Sequence, residues 1–243
     1  MAFGQFHQKK GDSMSSNVTT HGFPQPVFLP GARAINRRTK GHGTSNVVLP
    51  NEGSGPNHVV SVEAILERKG LQHYLSQPGI VKVTGQAGPV GYVDVDGNQK
   101  KHTFDLLAHR SDGYKILVAV KPFETAVRDR LDLTLQQIAA CVPAGFANEV
   151  ALFTDRTISR QQQVNNSRYH AIRRIADQEA ELAVEREIRR LNGSTTISDL
   201  IDAVGLAGRA YGAILNSIYR GVLHQVSAGL IDYGTVVRVG ALS

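Results

Sequence analysis

The 243-residue chain has one cysteine, Cys141, no tryptophan, two methionines and only 6% aromatic residues. A single cysteine excludes an internal disulfide framework and any cysteine-based zinc cluster. No apolar run approaches the roughly 18–20 residues that a membrane span requires. The opening MAFGQFHQKKGDSMSS has no continuous apolar stretch of the secretory kind. A cytoplasmic protein that does not engage a membrane is therefore expected. What the chain does have is 41% hydrophobic residues and 20% charged residues of both signs, enough to bury a core. At about 100–200 residues per domain, the length allows one large domain or two small ones.

The net charge of +6 is unevenly distributed. Residues 1–50 hold six bases (Lys9, Lys10, Arg33, Arg37, Arg38, Lys40) and one acid, Asp12. Residues 51–165 are neutral, with twelve of each sign, and residues 166–243 hold nine bases and eight acids. Residues 1–55, rich in Gly, Ser, Asn, Thr and Pro, read as an extended basic arm. Its AINRRTKGHG segment looks like a strip that orders on a partner. Such an arm either screens phosphates or simply solubilises the chain.

Residues 59–75 read as a helix capped by Ser61, with Val62, Ile65 and Leu66 on its apolar face and Gly70 as a break or bend. Residues 79–121 read as a strand meander. Asp96-Gly97 and Arg110-Ser111-Asp112-Gly113 supply turn chemistry between the runs. A helix over 124–140 and a strand over Val150–Thr154 follow, so the expected core is α/β with a mixed sheet. Residues 164–191 read as one long charged helix that stops at Asn192-Gly193. Short helices over Thr196–Val204 and Ala207–Ile218, then a terminal β run over Thr235–Val239, suggest a winged helix-turn-helix module or a generic helical cap.

The chemistry centres on the strand pair at 102–121. Strand side chains alternate faces, so Lys115, Leu117, Ala119 and Lys121 share one side. If the strands pair through Ser111-Asp112-Gly113, Asp105 approaches Lys121. A carboxylate to hold Mg²⁺ and a lysine to position water or balance charge are what phosphodiester hydrolysis needs. A surface acid and a surface lysine on an ordinary edge hairpin would carry the same residues. His102, three before Asp105, is expected on the opposite side of the sheet. Glu67 shares a helix face with Glu63. Cys141 reads as a small core residue, and Arg189-Arg190 as members of a salt-bridged helix beside Glu181, Glu185 and Glu187.

Asp105 followed by Val118-Ala119-Val120-Lys121-Pro122 resembles the PD-(D/E)xK nuclease signature. Within it, the chain is similar to the TnsA endonucleases of heteromeric bacterial transposases. Glu63 in Ser61-Val62-Glu63, the phrase Phe153-Thr154-Asp155-Arg156-Thr157-Ile158, Asn165-Asn166 and Arg168-Tyr169-His170 follow in that family's order. The resemblance covers roughly residues 58–240. It implies a restriction-endonuclease-like mixed sheet flanked by helices, plus a small C-terminal winged-helix-like domain. The expected layout is an arm over 1–55, a nuclease-like core over 56–165, a connecting helix over 166–192 and the terminal domain over 193–243. Glu63, Asp105 and Lys121 would be catalytic. Glu63, Asp105 and the Ala119 backbone carbonyl would hold Mg²⁺, for which Mn²⁺ can substitute. Substrate and partners would be transposon-end DNA, a DDE transposase subunit and an AAA+ regulator ATPase, in the cytoplasm of a bacterium or in a phage setting, associated with the nucleoid when on DNA. The chain departs from the signature at Ala119, where an acid or Gln is usual. Either the backbone serves there, or a residue has been substituted, or the protein is a degenerate nuclease that only binds. An unrelated winged-helix regulator is the remaining alternative.

Overall fold

In the computed structural model the described residues are 26–29, 31, 45–50, 56–175 and 177–240. The basic side chains Lys9, Lys10, Arg33, Arg37, Arg38 and Lys40 lie outside them. Three short strands come first: β1 (Val27–Phe28), β2 (Ser45–Leu49) and β3 (His58–Val62). They form a small sheet in the order β1-β3-β2. Part of the expected arm is thus a strand: Val47 and Leu49 of β2 are buried with Val60 and Val62. The expected helix over 59–75 is shorter. Val59 to Val62 pair with β2, and α1 (Ile65–Leu75) begins only after a bend at Glu63 and Ala64. Three valines among the four residues Val59 to Val62 favour the strand there. Gly70 does not interrupt α1. A Cβ at that position would lie 3.2 Å from the Phe153 ring, so glycine lets the helix settle onto the sheet.

The main sheet has four strands, β4 (Ile80–Val93), β5 (Gln99–Arg110), β6 (Lys115–Val120) and β7 (Glu149–Phe153), in that order. The first three are antiparallel, and β6 and β7 run parallel, joined through α2 (Phe123–Arg128) and α3 (Leu131–Ala140). The architecture is mixed α/β with mixed sheets flanked by helices. The two hairpin turns form as their sequences dictate. Asp94 Oδ1 accepts the amides of Asp96 and Asn98 with Gly97 at φ 82°, and Asp112 Oδ1 accepts the Tyr114 amide with Gly113 at φ 86°. One face of the sheet packs on α1 and the small sheet, burying Leu71, Val83, Leu106, Val118 and Phe153. The other packs on α3, burying Phe104, Leu117, Ala119, Leu135 and Ile138. Cys141, at the end of α3, is exposed rather than a core residue.

The stretch expected as one helix over 164–191 is two. In α4 (Arg160–Ile172), the Ser159 hydroxyl and the Gln162 side chain close a reciprocal cap on each other's amides. α5 (Gln178–Ile188) starts afresh because Asp177 caps it through the Ala180 amide. Its buried Ala180, Val184 and Ile188 belong to the C-terminal core, so the second half of the expected connector is part of the terminal module. That module continues with β8 (Ser194–Thr196), α6 (Ile197–Val204), α7 (Gly208–Tyr219), β9 (Leu223–Gln225) and β10 (Val236–Val239). Its sheet is antiparallel in the order β8-β10-β9. Arg189 and Arg190 pair with Glu185 and Glu187 along α5, as expected. No helix among the described residues is long and apolar enough to cross a membrane.

α4 joins the two halves. Ser167 Oγ donates to Gln72 Oε1 of α1 at 3.0 Å, while the Tyr169 and Tyr219 rings stack at 3.9 Å across to α7. Asn165 Nδ2 donates to the Gly229 carbonyl at 2.8 Å, and its Oδ1 accepts the buried Ile231 amide at 3.0 Å. Truncation to alanine orphans an amide and a carbonyl together. Asn165→Ala is expected to cost about 1–3 kcal/mol, read as a drop in Tm, with Asn165→Asp, which keeps the acceptor, losing less. His170, buried on the same helix, has its pKa pushed down from 6.5 to about 4 by burial and by Arg173 and Arg174. The folded chain holds it neutral where the unfolded chain takes up a proton. Its contribution is therefore intact above pH 6.5 and fades as the pH falls toward 4. A Tm series over that window is expected to decline in the wild type and to flatten in His170→Gln.

Candidate active site

β5 and β6 pair from His109 and Lys115 as far as Leu106 and Val118. Beyond that point a side chain takes over from the ladder: the Val120 amide donates to Asp105 Oδ2 at 2.7 Å. The same register carried one step on sets Asp105 opposite Ala119, with Lys121 two residues, about 7 Å, further along the same side of β6. Lys121 is exposed, and its amide bonds to the Phe153 carbonyl of β7 at 3.1 Å. Asp105 and Lys121 therefore stand at the carboxyl end of β6, where the sheet opens.

Strand alternation also sorts the carbonyls. The Val120 amide points to β5 and the Lys121 amide to β7, so the Val120 carbonyl faces Asp105 while the Ala119 carbonyl faces β7. The backbone oxygen beside Asp105 is thus that of Val120, not the expected Ala119 oxygen. The Ala119 side chain is 1% exposed, packed among Leu117, Leu135 and Ile138.

β4 and β5 both change face beside this point. Val83 and Leu106 pack toward α1, yet Ala87 and Phe104 pack toward α3. Between these pairs lie Asp105 and, on β4, the buried Gln86 at φ 53°. A non-glycine residue with positive φ marks a local departure from regular pleating. This irregularity overturns the expectation for His102. Its ring meets the edge of Phe104 at 4.6 Å, and burial together with the Lys121 charge lowers its pKa. It shares the Lys121 side instead of opposing it, a placement that uniform alternation could not foretell.

Glu63 lies in the bend between β3 and α1, not inside a helix. Its amide donates to Glu67 Oε2 at 2.7 Å, so the buried Glu67 carboxylate holds the entry of α1. β3 crosses the main sheet close by: a Cβ on Gly85 would lie 3.3 Å from the Ser61 carbonyl and 3.8 Å from that of Asp105. Ser61 thus runs against β4, the strand paired with the one that carries Asp105, and Glu63 follows two residues later.

The Thr154–Ile158 phrase is a structural turn. Thr157 Oγ1 accepts the Thr154 amide at 2.8 Å, and Asp155 Oδ1 accepts the Phe123 amide at 2.7 Å, tying the end of β7 to the start of α2. Arg156 pairs with Glu124 and lies 4.0 Å over the Phe123 ring.

Among the described residues no group of three or more His, Cys, Asp or Glu side chains is close enough to hold a metal. The donors available near Asp105 are carboxylate and carbonyl oxygens, a set that fits Mg²⁺, which keeps several of its waters, and not Zn²⁺. Compared with known proteins, the chain matches no family model, and no curated protein shows significant similarity to it.

Because Ala119 fills a closed apolar site, Ala119→Gln is expected to lower stability by about 1–3 kcal/mol through overpacking and to depress Tm. An unchanged Tm would mean that the site has room for a ligand-bearing side chain.

Proposed function

We propose that the chain is a Mg²⁺-dependent DNA endonuclease of the TnsA type, with a restriction-endonuclease-like core and a winged-helix-like C-terminal domain. The observation that carries this reading is the Asp105 carboxylate, oriented by the Val120 amide at the point where β5 and β6 part, on the side of β6 that bears Lys121. Glu63, in the bend that follows the β3 crossing, supplies the second carboxylate.

In this reading Asp105, Glu63 and the Val120 carbonyl hold the cation, whose chemistry is to polarise the scissile phosphate and lower the pKa of its water. Lys121 supplies positive charge to the pentavalent phosphate or orients the attacking water. His102, kept neutral beside Lys121, adds no competing cation. The enzyme would nick at a transposon 5′ end beside a DDE transposase and an AAA+ regulator.

The element order of the terminal module, a helix, a strand, two helices and a closing pair of strands, supports the winged-helix-like reading. From Ala210 to Tyr219, α7 has no exposed residue, because α4 and α5 pack on it. Arg209 and Arg220 flank that stretch, engaged by Asp177, Glu179 and Glu181. Those features favour docking a protein partner over reading bases. They also weigh against an independent winged-helix regulator.

A second reading, a catalytically degenerate DNA-binding subunit, is favoured by one observation: Ala119 is packed into apolar surroundings where a nuclease of this signature carries a ligand.

Cleavage of labelled transposon-end DNA, with the partner proteins and Mg²⁺ or Mn²⁺, separates the two. Asp105→Ala and Lys121→Ala are each expected to lose at least about a hundredfold in cutting while retaining DNA binding. No cutting by the wild type, and none after Ala119→Glu or Ala119→Gln, would establish the binding subunit instead.

A further inference from the structure

Beyond the ends of the parallel strands β6 and β7 lies an open cleft of about 740 Å³ between α1 and α4. Lys69 of α1 and Arg160 and Arg168 of α4 line it, with Gln163, Ser167 and a single carboxylate, Asp155. That carboxylate is engaged: it accepts the Phe123 amide and sits in the field of Lys69. Arg160 makes no ion pair among the described residues. Arg168 donates Nη1 to the Ile231 carbonyl at 2.6 Å, a neutral partner that leaves its charge uncompensated. α4 begins at the cleft, and its first turn holds no acid to offset the positive end of its dipole.

Three cations against one committed carboxylate, with the Gln163 side-chain amide among them, match the charge and donor pattern of a phosphodiester backbone. The cleft also adjoins the candidate site in the chain. Phe123, which Asp155 holds, follows Lys121 by two residues, and Lys69 lies on the helix that Glu63 leads into. We propose that this cleft holds the phosphate backbone of the DNA flanking the bond to be cut, with Lys69 and Arg160 as its principal phosphate contacts. The proposal rests on the nuclease reading and adds to it a direction, from Asp105 and Lys121 along α4. Phosphates here would fix the register of the duplex, not its sequence.

The test uses the full chain and a short fluorescein-labelled duplex of arbitrary sequence, with affinity measured by anisotropy across a salt series. Lys69→Glu, Arg160→Glu and the double variant are compared with Arg189→Glu, an exposed control just past the end of α5, and thermal melts check the fold of each. The double variant is expected to bind roughly tenfold or more weakly, with a log–log salt slope shallower by about two, and Arg189→Glu to change affinity by less than about twofold. Wild-type binding with affinity and slope unchanged in the double variant would overturn the cleft assignment and leave the nuclease reading standing. Loss of polyglutamate binding in the double variant, with duplex binding unaffected, would overturn it in favour of an acidic protein partner. A folded wild type that does not bind the duplex at all would overturn the DNA reading itself, and the cleft assignment with it.

Discussion

The bond from the Val120 amide to the Asp105 carboxylate lies where a regular antiparallel ladder stops. Up to Leu106 and Val118 the two strands satisfy each other through backbone groups. Two residues further along β6, at Val120, a side chain accepts the amide instead. A buried strand amide without an acceptor is costly, so the parting of the strands depends on that carboxylate. The same substitution turns a structural acid into one displayed at a sheet end. The placing of Lys121, whose amide bonds to Phe153, and the turn that ties Asp155 to Phe123 both lie at this end of the sheet, at the carboxyl ends of two parallel strands. Open α/β sheets commonly bind their ligands there.

Much of this arrangement was legible in the residues. Asp96-Gly97 and Asp112-Gly113 mark the hairpins because few other residue pairs tolerate such backbone geometry, and the period of α3 shows through Leu135 and Ile138, although the single helix expected over 124–140 is divided into α2 and α3 at Arg130, φ 48°. The C-terminal module was readable from Thr196 as a cap and from the two short apolar periods that follow. Other features depend on contacts between distant segments. Val59 to Val62 read as helix because the pairing partner, β2, lies in a segment that looks like loop. Gly70 reads as a breaker until the Phe153 ring is known to lie against it. The division of α4 from α5 turns on Asp177, whose cap is reinforced by Arg209, 32 residues away.

The site was legible in part, for the same reason. Asp105 and Lys121 are linked by one hairpin, so strand alternation places them. His102 and the carbonyl beside Asp105 were misplaced because the strands change face at Gln86 and Asp105, and nothing local in those residues announces a φ of 53°. Asn165 drew notice only as part of an ordered phrase. Its work is to hold the backbone at Gly229 and Ile231, which keeps the terminal module seated on α4. Ala119 is similarly double: a missing ligand by the nuclease pattern, a well-packed small residue by the core around it.

Manganese binding to the isolated chain tests the central claim most directly, because it needs neither a DNA site nor a partner protein. Calorimetric titration of Mn²⁺ is expected to show a site that is lost in Asp105→Asn and weakened in Glu63→Gln, with the fold retained in both. Wild-type binding that survives unchanged in both variants, or no binding in the wild type, would contradict the convergence of these carboxylates on one cation.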